Sequence, residues 1–203
     1  MKIALCILFG YLIGTLSPSA LVSKVKKKNL RKNGTGNLGA TNVMLNFGKA
    51  YGVLVMLFDI FKAFITVKLA SYLFPTDNII PLIAGTAVVV GHIYPFYMRF
   101  KGGKGLAAFG GLVLAYDPPV FLLLLLLGIA LMIILNYAVF IPVSAAALFP
   151  VFVGLHTSSF PAVAAALIAG IILITAHIDN MAAAFSGTAP KIRDYLKNDF
   201  ISK

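Results

Sequence analysis

The chain of 203 residues contains one cysteine, Cys6, set inside its first apolar stretch. Without a second, an intrachain disulfide is excluded, and so is a metal site built on cysteines. Charge is also scarce. Asp, Glu, Lys and Arg make up 11% of the residues, whereas a soluble domain carries roughly 25%. No His/Asp/Glu grouping has metal-ligand spacing, so no metal site is indicated. Neither a G-x-S-x-G elbow nor a Ser-His-Asp arrangement is visible. Met1–Ser23 is long, lightly charged at its start and not followed by an A-x-A-like cleavage site, and it reads as a retained helix.

What is abundant is apolar: 60% of the residues are hydrophobic and the mean hydropathy is +0.96. That composition excludes an ordinary soluble domain and points to one polytopic membrane domain covering residues 1–203. In lipid the backbone must satisfy its own hydrogen bonds, so the fold expected is all-α. The apolar stretches run about Ile3–Ser23, Val43–Phe74, Ile79–Met98, Gly103–Tyr116, Pro119–Tyr137, Val139–Leu155 and Pro161–Asn180. A span takes about 20 apolar residues. About seven transmembrane helices are therefore expected, the fourth partial or tilted because it is short and glycine-rich. Five is the alternative if the fourth is re-entrant and the fifth and sixth are misread.

The charge present is mostly of one sign, with a net +11. It fits loops that face anionic headgroups or an anionic substrate, and it makes no case for nucleic acid. Lys24, Lys26, Lys27, Lys28, Arg31, Lys32 and Lys49 lie between the first two segments. Arg99, Lys101 and Lys104 lie between the third and fourth, and Lys191, Arg193, Lys197 and Lys203 follow the last. The connections Phe74–Asn78, Asp117–Pro119 and His156–Pro161 have neither lysine nor arginine. The positive-inside rule then places the N-terminus outside and the C-terminus in the cytoplasm. It also puts three glycine-bearing polar stretches on one cytoplasmic face, where they can build a single site.

The central stretch is Gly91–Gly105, GHIYPFYMRFKGGKG. In Lys101, Gly102, Gly103, Lys104 and Gly105, glycines allow successive amides to face one concavity, a nest for anions, and two lysines add charge. The alternative is a basic loop that marks a membrane edge. The first stretch, Arg31–Asn42, holds Gly34-x-Gly36-x-x-Gly39. No strand precedes it and no Gly-Lys-Ser/Thr follows, so neither a dinucleotide fold nor a Walker loop is indicated. Thr35, Asn37, Thr41 and Asn42 are left, able to bind a phosphate or polyol, or to cap the helix that follows. In the third stretch, His177–Lys191, His177 and Asn180 are three apart and share a helix face; His92 opens the central motif. Asp59 and Lys62 face each other at i, i+3 and read as a structural pair within the membrane. Lys68 lies nearer the outer edge. Gly10–Gly14 and Gly48–Gly52 are GxxxG pairs for close helix packing.

Together these stretches carry a resemblance. Thr35–Asn42 (TGNLGATN), Gly91–Gly105 and H-x-x-N…G-T-x-P-K over His177–Lys191 resemble the three cytoplasmic motifs of the bacterial acyl-phosphate:glycerol-3-phosphate acyltransferase family, known as PlsY. Order and spacing agree over nearly the whole chain, the Asp59–Lys62 pair included. The resemblance implies an inner-membrane enzyme that moves an acyl chain from acyl phosphate to the 1-position of sn-glycerol 3-phosphate, giving lysophosphatidic acid without cofactor or metal. Its partners would be those two substrates and membrane lipid. It implies substrate contacts from Thr35, Asn37, Thr41, His92 and the Lys101–Gly105 loop, Lys104 foremost. His177 and Asn180 would complete the site as its catalytic pair.

The chain departs from the family pattern at four places. Thr35 replaces the usual serine and keeps a hydroxyl. Leu45 and Ala183 stand where the motifs usually have arginine, and Ala189 where they have glutamate before Pro190. An arginine grips phosphate with a planar fork that lysine does not reproduce. A second function class is therefore carried along: a weakly active or inactive member that binds or transports an organophosphate. An enzyme should have substitute cations nearby, such as Lys32, Lys49 or Arg193.

Overall fold

The structure, a computed structural model, describes residues 1–194, and Lys197 and Lys203 lie outside them. The described residues form helices and no strand. In chain order these are α1 (Lys2–Thr15), α2 (Pro18–Val25), α3 (Ala40–Phe47), α4 (Lys49–Leu73) and α5 (Ile80–Ile93). Then come α6 (Leu106–Tyr116), α7 (Pro118–Leu135), α8 (Phe140–Thr157), α9 (Phe160–Ala176) and α10 (Ile178–Phe185). Local chemistry sets their ends. Pro18 opens α2, with Ser17 capping Ala20, and Asp117 accepts from the Val120 amide to cap α7. Left-handed Asn136 and Ser158 end α7 and α8.

Each apolar segment of the sequence is helical, but they do not all span alike. Among the described residues, four helical stretches are long and apolar enough to cross a membrane: Lys2–Val25, Ile80–Met98, Pro118–Leu135 and Phe140–Thr157. A fifth arises if α9 and α10, bent by 57°, count as one. The fifth and sixth segments are thus two separate helices. The expected second segment, Val43–Phe74, is divided at Gly48, whose φ of 97° ends α3 and starts α4. At 25 residues α4 has the length of a span, but Asp59, Lys62 and Lys68 interrupt its apolar run. The fourth is an 11-residue helix, about 16 Å long, too short to cross alone.

Small residues set the packing. On α1, a Cβ at Gly10 would come within 2.6 Å of the Ala84 carbonyl, and one at Gly14 would run into the Val88 backbone. Here the GxxxG expectation holds. At Gly48–Gly52 only Gly52 packs closely, against Met44 and Ala40 of α3; Gly48 faces open space and serves as the hinge. The apolar core lies between α4, α5, α6, α7, α8 and α9. Phe109 meets Phe149 edge-on at 5.7 Å, and Tyr116 meets the same ring at 6.0 Å. Leucines and isoleucines of α1, α4 and α7 are left outward, as a lipid-facing surface requires.

The two ends of the bundle differ. At one end Lys2 pairs with Asp77 at 2.6 Å and His156 with Asp117 at 2.9 Å. Asp77, Asp117 and His156 rim a cavity of about 350 Å³ with Lys68, Ser71 and Asn78. At the other end lie the polar, glycine-bearing stretches.

Candidate functional site

The first stretch is knotted by Asn42. Its Nδ2 donates to the Leu30 and Asn37 carbonyls at 2.8 Å each, and its Oδ1 accepts from the Thr35 amide at 2.9 Å and from Asn46 at 3.0 Å. Only 1% of it is exposed. The expectation that Asn42 could bind a phosphate or polyol is therefore corrected: its donors and acceptor are spent holding the loop. A side chain at Gly34 (φ 61°) would strike its Oδ1. Thr35 and Thr41 are exposed and Asn37 half-buried. The Thr35 hydroxyl accepts weakly from the Asn37 amide, at 3.4 Å.

The central stretch folds back onto the end of α5. The Gly102 amide donates to the Ile93 carbonyl at 2.8 Å and the Gly103 amide to the His92 carbonyl at 3.1 Å. These two amides are thus not turned into an anion nest, and the sequence expectation is corrected at Gly102 and Gly103. Both are glycine for closeness: a Cβ at Gly102 would meet the His92 carbonyl, and one at Gly103 the His92 ring and, at 2.7 Å, the Leu38 carbonyl. The amides of Lys104 and Gly105 have no acceptor among the described residues. With the first-turn amides of α6, free as in any helix start, they leave a run of unpaired donors of the kind that attracts an anion.

Contacts join the three stretches. Arg31 of the first donates to the carbonyl of Lys101 in the second, and Leu38 lies against Gly103. Lys104 donates to Oδ1 of Asn180 in the third at 2.5 Å. Lys104 is half-buried, and that burial pushes its pKa below the usual lysine value while the Asp179 carboxylate pulls it back up. His177 sits at the bend between α9 and α10; its Nδ1 lies 2.9 Å from the Leu173 carbonyl. Because a carbonyl only accepts, Nδ1 carries the hydrogen and Nε2 is left as the acceptor.

His92 is turned inward. Its Nδ1 lies 3.0 Å from Lys62 Nζ and 3.3 Å from Asp59 Oδ1. Lys62 and Asp59 are 2.8 Å apart and almost wholly enclosed, so the pair read from the sequence is present. Of the substitute cations, none of Lys32, Lys49 and Arg193 makes a side-chain hydrogen bond to the central loop among the described residues. The guanidinium that does reach it is Arg31, which the sequence marked only as one more basic residue. Its place at the head of the first motif was the available signal.

A helical domain with apolar faces turned outward and three polar, glycine-bearing stretches joined at one end defines a multi-pass integral membrane protein. The family model for glycerol-3-phosphate acyltransferase matches residues 4–187. The glycerol-3-phosphate acyltransferase of Staphylococcus haemolyticus (strain JCSC1435) is 36% identical over 202 residues, covering 95% of this chain and 99% of the relative. The crystal structure of PlsY (YgiH), an integral membrane glycerol 3-phosphate acyltransferase, in its glycerol 3-phosphate form superposes with a TM-score of 0.87. Identity there is 31%, and the match covers 95% of this chain and 96% of that one. Its lysophosphatidic acid form gives 0.84 at 30% identity, covering 94% and 95%. The chain belongs to the glycerol-3-phosphate acyltransferase (PlsY) family.

Proposed function

We propose that this chain transfers a fatty acyl group from acyl phosphate to the 1-position of sn-glycerol 3-phosphate and releases lysophosphatidic acid. Acyl phosphate is a mixed anhydride whose leaving group is phosphate, so no enzyme nucleophile is needed. The glycerol hydroxyl attacks the acyl carbon, an ester C–O bond forms, the anhydride C–O bond breaks, and phosphate departs. The protein's part is to align the two substrates and balance their charge. The relative solved with glycerol 3-phosphate and with lysophosphatidic acid supports this acceptor and product.

The observation that carries the reading is Lys104. Its ammonium is held by Asn180, and its own amide and that of Gly105 open the positive end of α6. Phosphate would rest there, with Lys101 at the exposed rim and Gly102 and Gly103 fixing the turn. Thr35, Asn37 and Thr41 offer polar groups to the glycerol backbone. His177, through its free Nε2, would accept the hydroxyl proton as Asn180 orients Lys104. His92 would meet substrate only through the nitrogen nearest Gly103. The acyl tail would lie between helices, open to lipid.

For topology we propose seven membrane-crossing or membrane-entering segments in one domain of the bacterial inner membrane. The N-terminus would be outside and the three stretches cytoplasmic, with α6 entering part-way and α4 crossing with its internal ion pair. The test is purified protein with acyl phosphate and labelled glycerol 3-phosphate. Labelled lysophosphatidic acid is expected, and its absence with folded protein would overturn the reading.

A further inference from the structure

Lys62 sits at the centre of a buried polar cluster that joins three helices. Its ammonium lies 2.7 Å from the Leu16 carbonyl and 3.0 Å from that of Gly14, both at the end of α1. It is also 2.8 Å from Asp59 on its own helix and 3.0 Å from His92 Nδ1 on α5. Its three hydrogens meet the Gly14 and Leu16 carbonyls and His92 Nδ1, while the Asp59 oxygen, 3.3 Å from Nδ1, forms no hydrogen bond with it; an ammonium has no lone pair, so Nδ1 is the acceptor. His92 is thereby held with Nδ1 bare and its hydrogen on Nε2. That Nε2 has no hydrogen-bond partner among the described residues and lies against Gly103, where a side chain would otherwise be. From the same residue, the His92 carbonyl takes the Gly103 amide.

We propose that Asp59 and Lys62 are positioning residues for the acyl transfer: they fix the ring and tautomer of His92, and through it the placement of the Gly103–Lys104 turn that receives phosphate. This rests on the proposed site. A pair serving only to stabilise helix contacts would not need its ammonium on a ring whose other edge backs the phosphate turn. Asp59 anchors the ammonium, the α1 carbonyls fix its height, and His92 transmits its position to the loop. The same clamp ties the end of α1 to the site, since Ser19, just beyond, donates to the Leu38 carbonyl at 3.0 Å, and Leu38 touches Gly103.

The test has two arms. In the first, histidine is labelled with nitrogen-15 in the full chain, and the His92 signals are assigned by their loss in His92→Gln. At neutral pH a bare Nδ1 and a protonated Nε2 are expected; a hydrogen on Nδ1 would overturn the proposal. In the second, Asp59→Asn and Lys62→Met are combined, so that no lone charge is left buried. The expected result is a change in the His92 nitrogen signature and a KM for glycerol 3-phosphate raised about tenfold or more, with kcat moved less, as for a misplaced binding group. A folded double variant with unchanged KM and unchanged signature would overturn it. If the double variant does not fold, the parent's spectrum still decides. If the parent makes no lysophosphatidic acid yet shows the expected tautomer, the proposed reaction fails while the His92 assignment stands.

Discussion

Lys104 combines a charge, a partner and partial burial. Lys104→Ala should cost about 1.5–3 kcal/mol in the use of glycerol 3-phosphate or acyl phosphate, the scale of a charged hydrogen bond. Folding should change little, since the side chain's one hydrogen bond is to the exposed Asn180. Steady-state kinetics and thermal unfolding in detergent check both parts. The ammonium is also easier to deprotonate than a free lysine's, because burial lowers its pKa. The charged form exists below that pKa, so the grip fades as pH rises, starting below the ordinary lysine range. KM should climb along an alkaline limb that Lys104→Arg flattens, a guanidinium staying charged there.

The residues that depart from the motifs give a second prediction at this scale. Leu45 is exposed on α3 and Ala183 half-buried on α10, so each has room for a longer side chain. Leu45→Arg with Ala183→Arg should lower KM more than it changes kcat, because phosphate is gripped alike in ground and transition states. Adding Ala189→Glu should act on stability instead. The amides of Thr188 and Ala189 both donate to the Ala183 carbonyl, so residue 189 belongs to the turn that closes α10. No change on adding the arginines would assign their task to other cations, with Arg31 the first to examine. A triple variant that still makes no lysophosphatidic acid would favour the binding or transport alternative.

Among the helices, glycine is informative only by position. Gly14→Ala should lower stability by about 1–3 kcal/mol, since the added methyl meets the Val88 backbone, which cannot move aside. Gly110→Ala should cost far less, its nearest neighbour being the Phe121 ring at 3.5 Å. Comparing the two unfolding midpoints tests whether α1 and α5 are held by closeness. This is also where the sequence was read well and where it was not. Gly10–Gly14 announced its packing because four-residue spacing places both on one face. Gly48–Gly52 has the same spacing and a different job, because a positive φ at Gly48 is invisible in a string of letters. Likewise the glycines at 102 and 103 suggested an anion nest, but which amides α5 would claim depended on a fold-back that spacing does not encode. Asn42 looked like its polar neighbours, and only the tertiary loop showed it enclosed.

For the molecule as a whole, the grouping of loops was legible from charge alone. The connections Phe74–Asn78, Asp117–Pro119 and His156–Pro161, without lysine or arginine, gather at the Lys2–Asp77 and Asp117–His156 end, and the glycine-bearing stretches at the other. Single cysteines at Lys28 and Lys101, in a Cys6→Ser background, should react with an impermeant reagent only from the cytoplasmic side, and one at Asn78 only from outside. Labelling of Lys101→Cys from outside would invert the proposed orientation. What charge could not supply was the number of full crossings, because α6 stops short and α4 breaks its apolar run with an ion pair.

The core that contains Phe109 and Phe149 is a cluster of apolar side chains with no charged member. Under the proposed reaction, a phosphate-bearing reactant has no passage through it and must arrive and depart by the same door. Every newly made headgroup would then begin in one leaflet. A cell relying on this protein would grow its bilayer from one side only, and something else would have to even out the two halves.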